Sequence, residues 1–457
     1  MRPIIYKRGH TRMSARQREL LFGATVFLCT LPIFIVSRIH YLADSKYSML
    51  VSESLLYHGS FSLEHYALPR NPPTPQPDYV SNGTEYHLEL IGDRIFYYFP
   101  PGSSVLSLPF VALMNALGIS AANPDGTYNP AGEIAIQHRL AALLMAALSV
   151  ILFATARRLL PPATSMLIAV GAAFGTQMWS TASRGLWNDT WAILLLGLVI
   201  LILVQRETGG ASIRPMLLAT LLAWTYFVRP TNSISVAAVT VFVFLRHRRE
   251  FVLYALIGVC WFAALVAYSW HHFGQALPNY FAAGRLRFET FTTAFLGNLI
   301  SPSRGLLIHV PVLLFIAYLL ARYRREVALP DLVILAVTII MFHLVVVSGF
   351  SPWWGGHCFG PRYSTGLIPW FVLLAILGLN ARLAQLAKRG AVIPFRAGQK
   401  GERLLGGTLL ILSIIINGIG ANSDAAARWN TRPVNIDQQP ERVWDWSSPQ
   451  FLAKWLN

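Results

Sequence analysis

The sequence predicts an all-α polytopic membrane protein with about eleven transmembrane helices and a large first loop on the outer face. Three observations carry that prediction. Of 457 residues, 54% are hydrophobic and only 13% charged, where a soluble domain carries about 25% charged residues. Mean hydropathy is +0.48. Apolar runs near the roughly 20 residues needed to cross a bilayer recur along the chain, and the excess positive charge falls on one set of connecting segments.

The runs lie near 20–39, 138–157, 163–179, 190–205, 215–229, 231–245, 251–270, 305–321, 332–349, 364–380 and 404–420. The first is expected to stay in the protein, since it follows a polar tail, 1–19, and lacks the small-residue site of a cleaved leader. A further apolar stretch, 103–118, is assigned by charge. If it does not cross, segments 1–19, 157–162, 206–214, 246–250, 322–331 and 381–403 share one face, with 22 Lys/Arg against 6 Asp/Glu, and the rest of the chain holds 15 of each. The whole net charge of +16 is then cytoplasmic, as the positive-inside tendency requires. We therefore expect 103–118 to be an interfacial or half-inserted helix, the N-terminus to be cytoplasmic, and the C-terminus to be outside. The basic character is explained by orientation, and no nucleic-acid partner is implied. Cys29 and Cys260 sit in apolar runs and Cys358 in an outer segment, so no disulfide framework is expected.

Five regions follow: a basic tail 1–19, a first span 20–39, an outer loop 40–137, a bundle of about ten helices over 138–420, and an outer tail 421–457. The loop is long enough to be functional. Helical spacing of Tyr47, Leu50, Val51, Ser54 and Leu55 predicts a helix along the membrane surface. A proline run, 69–77, follows. The alternation of Tyr86, Leu88 and Leu90 with Ile95, Tyr97 and Phe99 about Gly92-Asp93 predicts a small β-hairpin.

Candidate site residues crowd the outer ends of the spans. Asp44, just after the first span, is placed either to accept a proton from a hydroxyl or to cap the helix that follows. Asp189, beside Asn188 at the start of a span, has the same two roles open to it. Arg139, Arg184, Arg229, Arg304 and Arg362 each fall at the outer end of a different run. The planar guanidinium suits phosphate oxygens and stays charged when partly desolvated; the alternative is snorkelling toward headgroups. Two dense patterns, 301–305 and 353–363, contribute Ser303, Trp354, His357 and Tyr363. No metal-spaced His/Cys/Asp set, P-loop, dinucleotide fingerprint or catalytic triad signature is present, so the cofactor is unknown and a divalent metal is left open. The sequons at Asn82 and Asn188 matter only in a secretory compartment.

These residues resemble the GT-C superfamily of membrane glycosyltransferases, in particular the protein O-mannosyltransferase and aminoarabinose transferase branch. The resemblance rests on Asp44 at the head of a long first outer loop, Tyr47 and the surface helix ending at Gly59, Pro100-Pro101-Gly102 late in the loop, His138-Arg139, Arg184 with Asp189, and the later outer arginines. It implies that 40–137 is a catalytic loop and that the donor is a polyprenyl-phosphate-linked sugar. It further implies that Asp44 is the base, that Arg139, Arg184, Arg229, Arg304 and Arg362 bind the donor phosphate, and that Tyr47, Glu53, Asp189, Ser303, Trp354, His357 and Tyr363 line the site. Many members carry two adjacent acidic residues, whereas Ser45 follows Asp44 here, and the tail is shorter than the C-terminal domain of some members. The acceptor is left open as a lipid, glycan or protein. The expected location is the plasma (inner) membrane, among its lipids. The rival readings are a lipid-linked-sugar flippase or transporter, which would show paired halves and midplane helix breaks, and a polysaccharide polymerase or ligase.

Overall fold

The computed structural model describes residues 14–456 apart from 69–84, 211, 283, 285 and 389–396. The proline run, the Asn82 sequon, most of the basic tail and part of 381–403 lie outside the described residues. The fold is mostly helical. In chain order the helices are α1 (Ala15–Val36), α2 (Ser48–His58), α3 (Gly102–Ala116), α4 (Pro130–Ala156), α5 (Pro162–Gly175), α6 (Asn188–Gly209), α7 (Pro215–Val228), α8 (Ser233–Arg246) and α9 (Arg248–Phe273). They continue with α10 (Phe291–Ile300), α11 (Leu306–His309), α12 (Val312–Arg322), α13 (Pro330–Ser348), α14 (Ile368–Lys388), α15 (Ala397–Asn422), α16 (Asp424–Arg428) and α17 (Ala453–Leu456).

Local chemistry sets many starts. Proline, whose missing N–H costs nothing in the first turn, opens α4, α5, α7 and α13. A capping box opens α1: Ser14 Oγ accepts from Gln17 N, and Gln17 Oε1 accepts from Ser14 N. Among the described residues seven helices, α1, α4, α6, α9, α13, α14 and α15, are long and apolar enough to cross a membrane. The expected runs 163–179, 215–229, 231–245 and 305–321 fall on helices that are too short for that test: α5, α7 and α8 have 14 residues each and α12 has 11. At 1.5 Å per residue, 14 residues reach about 21 Å against a hydrocarbon core of about 30 Å. Proline boundaries and turn residues account for the shortfall. Thr176 breaks α5 before a π-turn at Met178–Ala182, Arg229-Pro230 separates α7 from α8, and Pro311 starts α12 late.

The apolar windows of α4, α6 and α14 are 67%, 72% and 72% buried, which makes these helices the centre of the bundle. The corresponding window of α9 is 11% buried, and α9 is peripheral. Two apolar clusters fill the interior, one joining the first loop to α4 and α5, the other joining α6, α7, α13 and α14.

The first loop folds onto one end of this bundle. The hairpin forms as expected but shorter: β1 (Leu88–Ile91) pairs antiparallel with β2 (Arg94–Tyr97), Leu88 opposite Tyr97. Gly92, at the turn, has φ +59, a conformation glycine adopts without strain. The helix expected along the surface is α2, but residues 48–54 are buried against α3 and α4. The apolar stretch 103–118 becomes α3, which stays beside α2: Ser52 Oγ donates to Ser104 O at 2.8 Å, and Asn115 Nδ2 to Tyr57 OH at 3.0 Å. Further connecting segments and the tail join the same end. Asn279 Nδ2 donates to Glu89 Oε2 at 2.8 Å, Arg287 N to Gly349 O at 2.8 Å, and residues 423–456 pack their Trp429, Ile436 and Val443 against Ala294 and Trp353.

Candidate active site

Asp44 follows α1 in a segment fixed at nearly every residue. Ala43 O accepts from His87 Nε2 at 3.0 Å, and Asp44 O accepts from the Tyr97 hydroxyl. Ser45 exchanges two hydrogen bonds with Gln137, both 2.8 Å, and Gln137 Oε1 also accepts from Leu186 N. Lys46 Nζ and Tyr47 OH both lie 2.5 Å from Glu85 carboxylate oxygens. One glutamine of α4 thus ties the Asp44 segment to the segment preceding α6.

That segment crosses the first loop closely. Tyr41 N donates to Arg184 O at 2.7 Å, and a Cβ on Gly185 would stand 2.2 Å from Tyr41 O. Only glycine permits this passage, and it carries Trp187 and Asp189 into the site.

Helix α2 begins at Ser48 with Tyr47 as its N-cap residue, and no side chain of its own chain neighbourhood caps it. Its first N–H groups are taken from outside. Glu133 of α4, fully buried, accepts from Tyr47 N at 3.0 Å, Met49 N at 2.9 Å and Gln137 Nε2 at 2.9 Å. The capping role considered for Asp44 is therefore Glu133's. The carboxylate of Asp44 instead pairs with the guanidinium of Arg362. Arg362 also reaches Gly355 O at 3.3 Å and lies 3.9 Å from the centre of the Trp187 ring, within cation–π range. Its buried Nε has no hydrogen-bond partner among the described residues.

A second ion pair adjoins the first. Asp189, in the first turn of α6, lies 2.8 Å from Arg229 Nη1, and both are buried. Here too the capping alternative gives way, since α6 has no side-chain cap. Arg362 and Asp44 act electrostatically on Asp189, so the two pairs form one charged cluster. Its floor is the turn Arg362–Leu367: a Cβ at Gly366 would lie 3.4 Å from Asp189 Oδ1 and 3.7 Å from Asn232 Oδ1. His343 Nε2 fixes that turn through Tyr363 O at 2.8 Å. Asp44 is the more open carboxylate, its side chain 22% exposed against 0% for Asp189.

The hairpin flank has shifted protonation equilibria. Burial pushes His87 down to about 4, so its ring is neutral at pH 7. Burial pushes Glu85 up, but hydrogen bonds from Lys46 and Tyr47 outweigh it and hold the carboxyl below its usual range. Burial likewise raises Tyr86, with Asp44 adding to the effect.

Of the five arginines, Arg229 and Arg362 belong to the cluster. Arg184 is buried and spends its donors on Ser37 O (2.9 Å), Phe34 O and Ser183 Oγ, closing the C-terminal end of α1. Arg304 is buried in the tail interface, where it reaches Trp354 O, Ser303 O, Gly356 O, Gln450 Oε1 and Asn430 Oδ1. Arg139 is exposed and bonds to Ala135 O in its own helix. The other expected lining residues divide similarly. Tyr363 borders the cluster beside Arg362, whereas Tyr47 turns to Glu85 and the rings of His87 and Tyr128. Glu53 is buried, accepting from Ala121 N at 2.8 Å and Ser120 Oγ at 2.9 Å, and braces the loop ahead of α4. Ser303 accepts from Gln450 N, Trp354 Nε1 donates to Asp437, and His357 Nε2 lies 2.9 Å from Asn435 Oδ1, so these three belong with Arg304 to the tail interface.

No protein-family model matches the chain, and no curated protein matches it in sequence.

Sequence reasoning did not single out Glu133, Gln137, Trp187, Tyr97 or Asn232. A signal existed for the first two: they stand four apart near the start of a long apolar helix, and polar groups in such a position are usually functional. Among the described residues no three His, Cys, Asp or Glu side chains converge as a metal site.

Proposed function

We propose that the chain is a glycosyltransferase that moves a sugar from a polyprenyl-phosphate donor to an acceptor hydroxyl at the outer face of the membrane. In this reading α5, α7, α8 and α12 also span, completing eleven crossings, α3 does not cross, and the Asp44 end faces outside. The observation that carries the reading is the pairing of Asp44 with Arg362 beside a second, buried pair, Asp189–Arg229. A partly open carboxylate against a guanidinium fixed on Trp187 is what a phosphate-leaving displacement needs: a proton acceptor next to a cation that holds the departing group.

The chemistry follows from that adjacency. The donor phosphate engages Arg362, whose buried Nε is unused among the described residues, and draws the guanidinium's charge away from Asp44. Asp44 then accepts the proton of the acceptor hydroxyl. The acceptor oxygen forms a bond to the anomeric carbon as the bond from that carbon to the phosphate oxygen breaks. The electron pair leaves with the polyprenyl phosphate, and Arg362 and Arg229 offset its charge in surroundings shielded from bulk water. Asp189 holds Arg229 in place. The donor and the acceptor, whether lipid, glycan or protein, are this proposal's partners.

The test is consumption of radiolabelled polyprenyl-phosphate sugars by the purified chain and its variants. Asp44→Asn should lower turnover by roughly 10²–10⁴-fold with donor binding kept. Arg362→Ala should weaken donor binding. Wild-type turnover by Asp44→Asn would refute the assignment of the base, and unchanged donor affinity in Arg362→Ala would refute the phosphate role.

A further inference from the structure

A cavity of about 500 Å³ lies between α5, α12, α14 and α15, away from the charged cluster. Its walls are apolar, with Ile168, Phe315, Ile316, Phe371, Val372 and Leu410 among them. Its far mouth is not apolar: Arg382, Glu402 and Arg403 line it. Arg382 lies about 21 Å along α14 from Ile368, the residue following the Arg362 turn, at 1.5 Å per residue.

The mouth carries an ion pair, Arg382–Glu402, whose guanidinium has one nitrogen to spare among the described residues. Glu402 is fully engaged, accepting from Arg382 Nε at 2.8 Å, Tyr323 OH at 2.6 Å and Tyr318 OH at 3.0 Å. Arg382 is 7% exposed, yet its Nη2 has no hydrogen-bond partner among the described residues. A buried guanidinium nitrogen left unpaired is costly. Here it lines an apolar cavity, with a second arginine at the same mouth.

We infer that this cavity binds one acyl chain of an anionic phospholipid, with Arg382 and Arg403 holding its phosphate at the bundle end opposite the Asp44–Arg362 pair. The dimensions select the occupant. From Phe371 to Arg382 the cavity extends about 17 Å along α14, close to half of the roughly 30 Å hydrocarbon core. That is the depth of one leaflet, which an acyl chain fills and a polyprenyl chain overruns. The charge balance selects the headgroup, since Arg382 and Arg403 together exceed the single negative charge of Glu402, which is already paired with Arg382. The inference does not depend on the transfer reaction.

The experiment is native mass spectrometry of the delipidated full chain titrated with phosphatidylglycerol, phosphatidylcholine or polyprenyl phosphate. The wild-type chain should bind one phosphatidylglycerol about ten-fold more tightly than phosphatidylcholine, as a charge-assisted phosphate contact implies. Arg382→Gln should abolish that preference, and Arg382→Lys should restore part of it. Gly407 lines the cavity, and a Cβ there meets nothing within 4 Å. Gly407→Leu should therefore obstruct the cavity and weaken both phospholipids without lowering the melting temperature. Equal affinity for the two headgroups, or no change in Arg382→Gln, would overturn the inference. So would polyprenyl phosphate displacing phosphatidylglycerol from the site that Gly407→Leu blocks. If Gly407→Leu does not fold, the headgroup comparison and Arg382→Gln decide the matter by themselves.

Discussion

Two carboxylates at the head of the first loop divide the work that one was expected to do. Glu133 supplies the oxygens for the otherwise unpaired N–H groups at the start of α2, and Asp44 is left to face Arg362. Their substitutions should separate accordingly. Glu133→Ala leaves Tyr47 N and Met49 N without their acceptor, at a cost of about 1–3 kcal/mol for each unsatisfied buried group, while Gln137 keeps its bond to Ser45 O. Unfolding of the detergent-solubilised protein should occur at a clearly lower temperature. Glu133→Gln, which keeps one oxygen, should lose less. Asp44→Asn should melt close to wild type, so a lost turnover there is chemical in origin.

His87 makes the same region sensitive to pH. Its neutral form is favoured on folding, with a value near 4 against an ordinary 6.5. Between those two values the unfolded segment binds more protons than the folded one, so stability is complete above about 6.5 and is lost as pH falls toward about 4. Glu85, held below its usual range, loses its contribution on further acidification, in the same direction. Hydrogen exchange of residues 40–48 and 85–99 should show protection falling from pH 7 to pH 4.5, and His87→Gln should flatten that slope. Unchanged protection in the wild type over this range would contradict the assignment.

At the scale of elements, helices and hairpin were legible because their signals are local. Each expected apolar run falls on helix, though the ends of α4 (Pro130–Ala156), α14 (Ile368–Lys388) and α15 (Ala397–Asn422) lie well beyond the runs 138–157, 364–380 and 404–420, and alternation about Gly92-Asp93 placed the hairpin. What local pattern did not reveal was helix length. Prolines and turn residues trimmed α5, α7, α8 and α12, and apolar residues beyond those boundaries continued the hydropathy signal into turns. Nor did it reveal that the tail is a folded unit. The tail closes on Arg304, a buried guanidinium with five acceptors around it. Arg304→Ala should therefore act on folding more than on phosphate binding, costing roughly 3 kcal/mol. Limited proteolysis should cut residues 423–456 of this variant faster than those of the wild type.

Across the whole molecule, the segments expected outside gather at one end of the bundle, through Glu89–Asn279, Arg287–Gly349, Arg304–Asn430 and Asp44–Arg362. Which side of a membrane that end faces is decided by labelling. With Cys29, Cys260 and Cys358 replaced by alanine, Gln438→Cys should react with an impermeant maleimide added outside, and Arg158→Cys, exposed at the opposite end, only after permeabilisation. Reaction of position 158 from outside would reverse the orientation. Only part of the site was legible in advance. Asp44, Asp189, Arg229 and Arg362 were named from their place at span ends, but nothing local distinguishes them from Arg139, Arg184 and Arg304. That distinction comes from partners far away in sequence.

The pair formed by Asp44 and Arg362 bridges 318 positions, and this has a consequence for biogenesis. The carboxylate leaves the ribosome early, among the first segments inserted, while its cation is translated after most of the bundle. A nascent or prematurely terminated chain thus carries the acid without its counterion. Assembly of the pair reports that synthesis has passed residue 362 and that the turn before α14 has docked, so a chain halted before that point cannot form the Asp44–Arg362 pair at all.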